Sequence, residues 1–212
     1  MRQQQRSLST DMKQLKDYVR VYDDAIDTNL AKLLINIFEN NPDSHQRFEN
    51  DRRPQFTQMN LTQLYTQDKG QYEQIHNDLQ STFLKFITTY RTETNTTWQF
   101  QDKVALEEFR IKRYDPWIKR QDPCASCGPE SPDQFKEHVD VQDYNSARRY
   151  LAFFLYLNEP HGGETVFTRW HQHIKPKCGR LLMFPPTWQY PHEGKPCRVK
   201  SKYILGSYLH YL

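Results

Sequence analysis

Three side chains in the second half of the chain could hold one metal ion: His138, Asp140 and His192. Residues i and i+2 of a β-strand point to the same face, so the His138 imidazole and the Asp140 carboxylate would emerge side by side. His192 follows a strand-like run at 180–184. Two histidines and one carboxylate occupy one triangular face of an octahedral ion and leave the opposite positions open for chemistry.

That ligand set is typical of non-haem Fe(II) oxygenases. A further signal lies ten residues after His192, where Lys202 opens a strand-like run that extends to Tyr211. Alternation along a strand puts Lys202, Ile204, Gly206 and Tyr208 on one face, which is apolar apart from the lysine. A buried ammonium requires an anionic partner, so the pattern predicts an anion that pairs with Lys202.

The elements that must position these side chains are mainly strands. The chain has 212 residues, of which 36% are hydrophobic and 14% aromatic, so it can bury a core and disorder of the whole chain is excluded. Strand-like runs follow one another without helical crossovers, which predicts an antiparallel sandwich or barrel. These runs are 109–114, 150–158, 165–167, 180–184 and 202–211.

The first half carries the helices. Asp27 or Thr28 is expected to cap a helix that ends near Asn40, and a second amphipathic helix is expected from Tyr72 to Tyr90. The first has an apolar stripe made of Leu30, Leu33, Leu34, Ile37 and Phe38. We expect both stripes to pack on a sheet.

The domain organisation follows from these patterns. Residues 1–15 are polar and aperiodic and are expected to form a loose arm, followed by a short strand at Val19–Tyr22. Residues 16–212 are expected to form a single domain, with helical support at about 27–92 and a catalytic core at about 104–212. The formal net charge of +3 indicates neither a nucleic-acid nor a membrane-surface protein.

The expected compartment determines the redox state of the cysteines. The N-terminal residues carry no apolar stretch and no run approaches the ~20 residues that span a bilayer, so a cytoplasmic protein with reduced thiols is expected. Cys124 and Cys127 form a CxxC pair, which Cys178 and Cys197 could complete as a zinc site. Free thiols are the alternative.

Taken in order, the motifs resemble the prolyl 4-hydroxylase-like branch of the Fe(II)/2-oxoglutarate dioxygenases. The resemblance runs from about Phe109 to Tyr211 and implies a mainly β fold, a double-stranded β-helix (jelly roll), with N-terminal helices packed on the outer face of the major sheet. The matching motifs are Tyr114, His138-x-Asp140, 155–158 (LYLN), 162–167 (GGETVF), 176–184 (PKCGRLLMF), His192 and Lys202.

The resemblance implies that His138, Asp140 and His192 bind Fe(II) and that Lys202 pairs with the distal carboxylate of 2-oxoglutarate. O2 would be the second cosubstrate and ascorbate an optional reductant, with succinate, CO2 and an alcohol as products. Because Asp140 fills the carboxylate position, the halogenating branch of this superfamily is disfavoured.

Other residues would line the pocket. The resemblance places Tyr114 and Thr165 against the cosubstrate. Between Tyr114 and His138 lies a segment longer than the connection usual in this family, so we expect it to border the active-site mouth, with Trp117 as a substrate contact. Arg110 and Lys112 share a strand face with Tyr114 and are either further substrate contacts or a solvated charged face.

The substrate implied by the resemblance is a prolyl residue in a peptide or protein. Hydroxylation of a free amino acid or another small molecule is an alternative, because relatives with the same core act on such compounds. A catalytically silent jelly-roll module that only binds metal is another, but such a module would not need Lys202. A nucleic-acid demethylase would require a basic groove, which the net charge supports only slightly.

Overall fold

The protein consists of two antiparallel β-sheets that face each other, with helices covering the outside of the larger sheet. A computed structural model describes residues 13–50, 54–100, 103–116 and 132–212. Buried apolar side chains form two clusters, one between the sheets and one between the larger sheet and the helices. The expected mainly β architecture, a jelly roll with N-terminal helices on the outer face of the major sheet, is confirmed.

The elements are short except for α3 and β12. The helices are α1 (Thr28–Asn40), α2 (Leu61–Gln67) and α3 (Lys69–Thr94). The strands are β1 (Arg20–Tyr22), β2 (His45–Glu49), β3 (Gln55–Asn60), β4 (Val104–Leu106), β5 (Arg110–Tyr114), β6 (Phe135–His138), β7 (Arg149–Tyr156), β8 (Thr165–Phe167), β9 (Gln172–Ile174), β10 (Leu181–Phe184), β11 (His192–Gly194) and β12 (Lys202–Tyr211).

The strands form one larger and one smaller antiparallel sheet. The major sheet has the order β1-β10-β7-β12-β5-β3-β2, and β4 pairs with the distal part of β12. The minor sheet has the order β6-β11-β8-β9. All of these pairs are antiparallel, as expected for strands that follow one another without helical crossovers.

Helix α1 begins where the sequence predicts. The Asp27 side chain accepts a hydrogen bond from the backbone N–H of Leu30 at 2.8 Å and so caps the helix. The prediction that Leu33 belongs to the buried stripe was wrong, because this side chain is 43% exposed. It lies about 100° around the helix from Leu34, outside the buried arc. That arc consists of Ala31, Leu34, Ile37 and Phe38.

Helix α3 packs against the outer face of the major sheet. The Phe83 ring contacts Phe109 and Phe153, with ring centroids 5.4 and 5.2 Å apart. The helix ends at Asn95, whose left-handed conformation (φ 56°) is typical of a helix C-cap. The residues of its buried face are Tyr72, Leu79, Phe83, Ile87, Tyr90 and Thr94.

Alternation along β12 assigns its side chains to the two clusters. Ile204 and Tyr208 lie between the sheets, whereas Tyr203 and Leu205 pack towards the helices. Lys202 shares the inter-sheet face with Ile204 and Tyr208, as the sequence pattern predicts. The strand is almost completely buried, so its register determines which side chains reach the interior.

Strands β2 and β3 form a hairpin that was not expected in the helical first half. Strand β3 pairs with β5, so the hairpin extends the major sheet beside the predicted site. Phe56 lies between the sheets, and Met59 packs towards the helices. The hairpin therefore supplies part of the wall that faces the minor sheet.

Some predictions concern residues that lie outside the described ranges: most of the arm at 1–15, Trp117, and the Cys124 and Cys127 pair. Of the other two cysteines, Cys178 is half-buried, Cys197 is buried, and both are free thiols. Within the described ranges, the helices lack the combination of length and apolar character that crossing a membrane requires.

Candidate active site

Three potential metal ligands converge on the minor sheet. His138 is the last residue of β6 and His192 the first of β11, and the two are directly opposite each other in the antiparallel register. Asp140 follows β6 after one intervening residue, and its backbone N–H donates to the carbonyl of Pro186 at 3.2 Å. One ligand atom from each of the three side chains lies within 4.8 Å of the others.

The distances between these atoms suit a shared cation. His138 Nε2 lies 3.5 Å from Asp140 Oδ1, and His192 Nε2 lies 3.7 Å from Asp140 Oδ2. Neighbouring ligands of an octahedral ion with bonds of about 2.1 Å are separated by about 3 Å. The two nitrogen–oxygen distances therefore exceed the separation of neighbouring ligands by roughly half an ångström.

The hydrogen bonds of the two imidazoles leave the inward-facing nitrogens as acceptors. His138 Nδ1 lies 2.8 Å from the carbonyl of Lys136, and His192 Nδ1 lies 3.1 Å from the carbonyl of Tyr190. A carbonyl only accepts, so each Nδ1 donates, and in a neutral imidazole each Nε2 then presents a lone pair to Asp140. His192 Nε2 and Asp140 Oδ2 are buried without a hydrogen-bond partner in the described structure. A cation among these atoms would satisfy them, so the residues fit a metal ion.

The protonation states suit the same role. Burial opposes charge on Asp140, but His192, His138 and Lys112 outweigh this effect and hold the pKa of the carboxyl below its usual value. Burial lowers the pKa of His192. A deprotonated carboxylate beside a neutral imidazole is the form that binds metal ions.

Aromatic side chains fix the orientation of both imidazoles. Phe135 stacks on His138, with centroids 3.5 Å apart and planes 12° apart. His192 is enclosed by Phe154, Phe167 and Phe184, whose centroids lie 5.9, 5.8 and 4.9 Å from its own. This apolar packing restricts ring rotation and keeps water away from the buried side of the site.

Next to the three ligands is a narrow inner cavity of about 20 Å³ with Lys202 in its wall. Lys202 is 2% exposed, and its Nζ donates to the carbonyl of Gly163 at 2.9 Å and lies 4.4 Å from the centre of the Tyr114 ring. Burial lowers its pKa. Within the described ranges no carboxylate lies within 4 Å of this ammonium, which leaves it able to bind an anion from outside. A five-carbon diacid exceeds the present volume, so binding would require the wall to move.

Tyr114 and Thr165 line the inner cavity with Lys202, as the resemblance implies. Tyr114 is the direct register partner of Lys202 across β5 and β12. Thr165 is buried, and its Oγ1 accepts a hydrogen bond from the Tyr156 hydroxyl at 2.7 Å. The Thr165 hydroxyl therefore keeps its own proton available for a ligand.

Two glycines allow the backbone to approach Lys202. Gly163 has φ +77°, and a Cβ there would lie 2.8 Å from Cys197 Sγ and 3.2 Å from Lys202 Cδ. The turn at Gly162-Gly163 has positive φ at both residues, a conformation that glycine adopts without steric cost. A Cβ at Gly194 would lie 3.7 Å from Lys202 Nζ. The turn thus shapes the cavity and also supplies the carbonyl that accepts the hydrogen bond from the Lys202 ammonium.

An outer cavity of about 300 Å³ adjoins the inner one and shares His138 and Asp140 with it. Arg110 lines the outer cavity and Lys112 lines both, so these two predicted contacts face the site rather than solvent alone. Burial lowers the pKa of Lys112 to about 8. Trp117, the third predicted contact, lies outside the described residues.

Several lining residues were not predicted as part of the site. They come from the unpredicted hairpin and from strands whose side chains were assigned only to the core. Their common signal is a position on the inter-sheet face of a strand, which the sequence indicates only when the register is known. These residues are Phe48, Phe56, Gln58, Phe135, Phe154, Arg149, Gly194 and Ile204.

A family model described as the 2OG-Fe(II) oxygenase superfamily matches residues 125–210. This range contains all three candidate ligands and Lys202, and the match confirms the oxygenase class indicated by the motifs. No curated protein matches the chain in sequence.

Solved structures of prolyl hydroxylases share the fold. One is the viral collagen prolyl hydroxylase of Paramecium bursaria Chlorella virus-1, in a 2OG complex: 19% identity, TM-score 0.66, covering 92% of this chain and 97% of that one. A Pseudomonas putida prolyl-4-hydroxylase has 16% identity and a TM-score of 0.64, covering 92% and 94%. A Trichoplax adhaerens prolyl hydroxylase, in complex with a hypoxia inducible factor oxygen degradation domain peptide fragment, has 13% identity and a TM-score of 0.66, covering 92% and 84%.

Proposed function

We propose that this 2OG-Fe(II) oxygenase hydroxylates a C–H bond of a prolyl residue in a peptide or protein. One observation carries the proposal: three buried ligating side chains converge beside a buried ammonium that has no carboxylate partner among the described residues. The first feature suits Fe(II), and the second suits the distal carboxylate of 2-oxoglutarate.

In this proposal His138, Asp140 and His192 hold the metal, and Lys202 binds the cosubstrate. When bound, Fe(II) and 2-oxoglutarate would supply the oxidation, in which O2 is consumed and succinate, CO2 and an alcohol are formed. Two of the three ligands, His138 and Asp140, line the outer cavity. A substrate in the outer cavity would therefore lie beside residues that would hold the metal.

The surrounding side chains position the reactants. Tyr114 stacks on the Lys202 ammonium and restricts where its charge can lie. Thr165 adds a hydroxyl to the wall of the inner cavity. Phe154 and Phe184 exclude water from the His192 ring, which limits loss of oxidising equivalents to solvent.

A prolyl substrate is supported by the outer cavity and by the structural neighbours. Aromatic rings in that wall, among them Phe48, Phe56 and Tyr208, suit the apolar faces of a pyrrolidine ring. The neighbouring structures are prolyl hydroxylases, one of them with a peptide fragment. In a module that only bound metal, the free-energy cost of burying the Lys202 charge would not be offset by a bound anion. This argues against a catalytically silent protein.

The test is formation of succinate and of hydroxylated peptide by purified protein supplied with Fe(II), 2-oxoglutarate and O2, with ascorbate to keep the iron reduced. Proline-containing peptides are compared with the same peptides in which alanine replaces proline. We expect succinate to rise only with the proline peptides and in proportion to hydroxyproline. Succinate formation that ignores peptides would overturn the prolyl substrate, and its absence under all conditions would overturn the oxygenase.

A further inference from the structure

The outer cavity has an unbalanced charge. Three cations line it, Arg110, Lys112 and Arg149, against one carboxylate, Asp140. In the proposed enzyme that carboxylate is a metal ligand, so its charge is neutralised by the ion. The wall that faces the substrate is therefore positive even though the whole chain is nearly neutral.

Two of the three cations already have partners. Arg149 donates to both carboxylate oxygens of Glu107, at 2.6 and 2.9 Å. Arg110 forms an ion pair with Glu108 and lies 3.8 Å from Glu107. Bidentate and paired guanidinium groups of this kind are structural, and their charge is largely compensated.

Lys112 is different. In the described part of the chain its ammonium has no hydrogen bond and no carboxylate within 4 Å, and its Nζ lies 4.9 Å from the centre of the Phe56 ring. Strand β5 directs it between the sheets, where it pairs in register with Ile204 on one side and Gln58 on the other. It thus lies at the junction of the inner and outer cavities.

We infer that Lys112 binds a carboxylate of the substrate, and that the enzyme selects prolyl substrates with a carboxylate close to the hydroxylated ring. This inference rests on the proposed function and specifies its substrate class. A single ammonium without an ion-pair partner among the described residues matches one negative charge. A phosphate, with about two charges, would call on the arginines, which are already engaged.

Such a carboxylate could have two sources in a peptide. It could be the C-terminal carboxylate of a final proline, or the side chain of an aspartate next to an internal proline. Both present the same group to Lys112, so matched peptide pairs distinguish them. One pair compares a C-terminal proline acid with its amide, and the other compares Asp-Pro with Asn-Pro.

The experiment measures kcat/KM for both members of each pair, and also their Kd by calorimetry on protein loaded with redox-inert Mn(II). We expect the carboxylate member of at least one pair to be preferred by about 10-fold or more, as for a hydrogen-bonded charge pair. In Lys112→Met this ratio should fall to about 1. A ratio does not depend on the fraction of active protein, so partial misfolding of the variant cannot imitate the effect.

The matched control is Lys85→Met, which removes an exposed lysine stacked on Phe86 of α3, on the far side of the major sheet. It should keep the wild-type ratio. Equal use of both members of each pair, or a preference that survives in Lys112→Met, would overturn the carboxylate inference but not prolyl hydroxylation. A third pair, free L-proline against its amide, separates the two proposals: preference for the acid here with no peptide turnover would overturn the peptide substrate and retain the role of Lys112.

Discussion

Replacing Lys202 by methionine should have opposite effects on stability and on cosubstrate binding. Lys202 is 2% exposed. In the described structure its ammonium donates one hydrogen bond, to the Gly163 carbonyl, and contacts one aromatic ring, that of Tyr114. Burial of such a charge costs several kcal/mol of hydration. The hydrogen bond and the cation–π contact return about 2 kcal/mol each. Methionine has a similar length and no charge, so we expect the metal-free variant to be more stable by about 1 kcal/mol.

Binding of 2-oxoglutarate should suffer in the same variant. A carboxylate that enters the inner cavity loses its partner, and an unpaired buried charge costs about 3 kcal/mol or more, which corresponds to a loss of over 100-fold in affinity. Urea unfolding of the metal-free protein gives the first quantity, and calorimetry of 2-oxoglutarate with the Mn(II)-loaded protein gives the second. Lys85→Met should change neither. A variant that is less stable by more than about 2 kcal/mol and still binds 2-oxoglutarate normally would show that Lys202 has a structural role and does not bind the cosubstrate.

Three further perturbations test other parts of the site. His138→Ala should abolish the stabilisation by Mn(II), about 2.7 kcal/mol at 100 times the Kd, which thermal unfolding measures and EDTA reverses; His173→Ala, at an exposed position on β9, should retain it. Gly163→Ala should lower the free energy of unfolding in urea by about 2–4 kcal/mol because of its positive φ and close contacts, while Gly70→Ala in α3 should be neutral or stabilising; equal effects would contradict the strain. Because burial lowers the pKa of Lys112 to about 8, the unfolded chain holds a proton that the folded chain has lost between about pH 8 and pH 10. Stability of the metal-free protein should therefore rise with pH in that window by up to about 3 kcal/mol, and urea unfolding of Lys112→Met should show a flatter profile.

Much of the site could be predicted because its residues follow local rules. His138 and Asp140 are two residues apart at the end of a strand, and alternation along β12 placed Lys202 on the inter-sheet face. These statements need only the period of a strand. The structure also brings His192 next to them, which required the order of the motifs as well as their spacing.

The hairpin β2–β3 was missed for a physical reason. Its second strand has the sequence QFTQMN, with few β-branched residues, so its intrinsic preference for a strand is low. It is a strand because β5 offers a free edge with which it pairs. Tertiary pairing of this kind decides the conformation of a segment whose composition has no strong intrinsic preference for a helix or a strand.

For a related reason, the sequence could not show whether Lys112 lines the site or lies on a solvated face. Arg110 and Lys112 flank the apolar Ile111, a pattern that suits a solvated face as well as a cavity wall. The structure decides between the two because the hairpin covers the edge of β5 and the minor sheet covers its inner face. A charge pattern alone does not contain that information.

Isotopically labelled O2 shows whether the three ligands and Lys202 form a working Fe(II)/2-oxoglutarate centre. With Fe(II), 2-oxoglutarate and a hydroxylated peptide substrate, mass spectrometry should find one labelled oxygen atom in succinate and one in the hydroxylated product. Lys202→Met should form neither labelled product, and Lys85→Met should form both. Product oxygen that derives from water, or product formed without 2-oxoglutarate, would contradict the account.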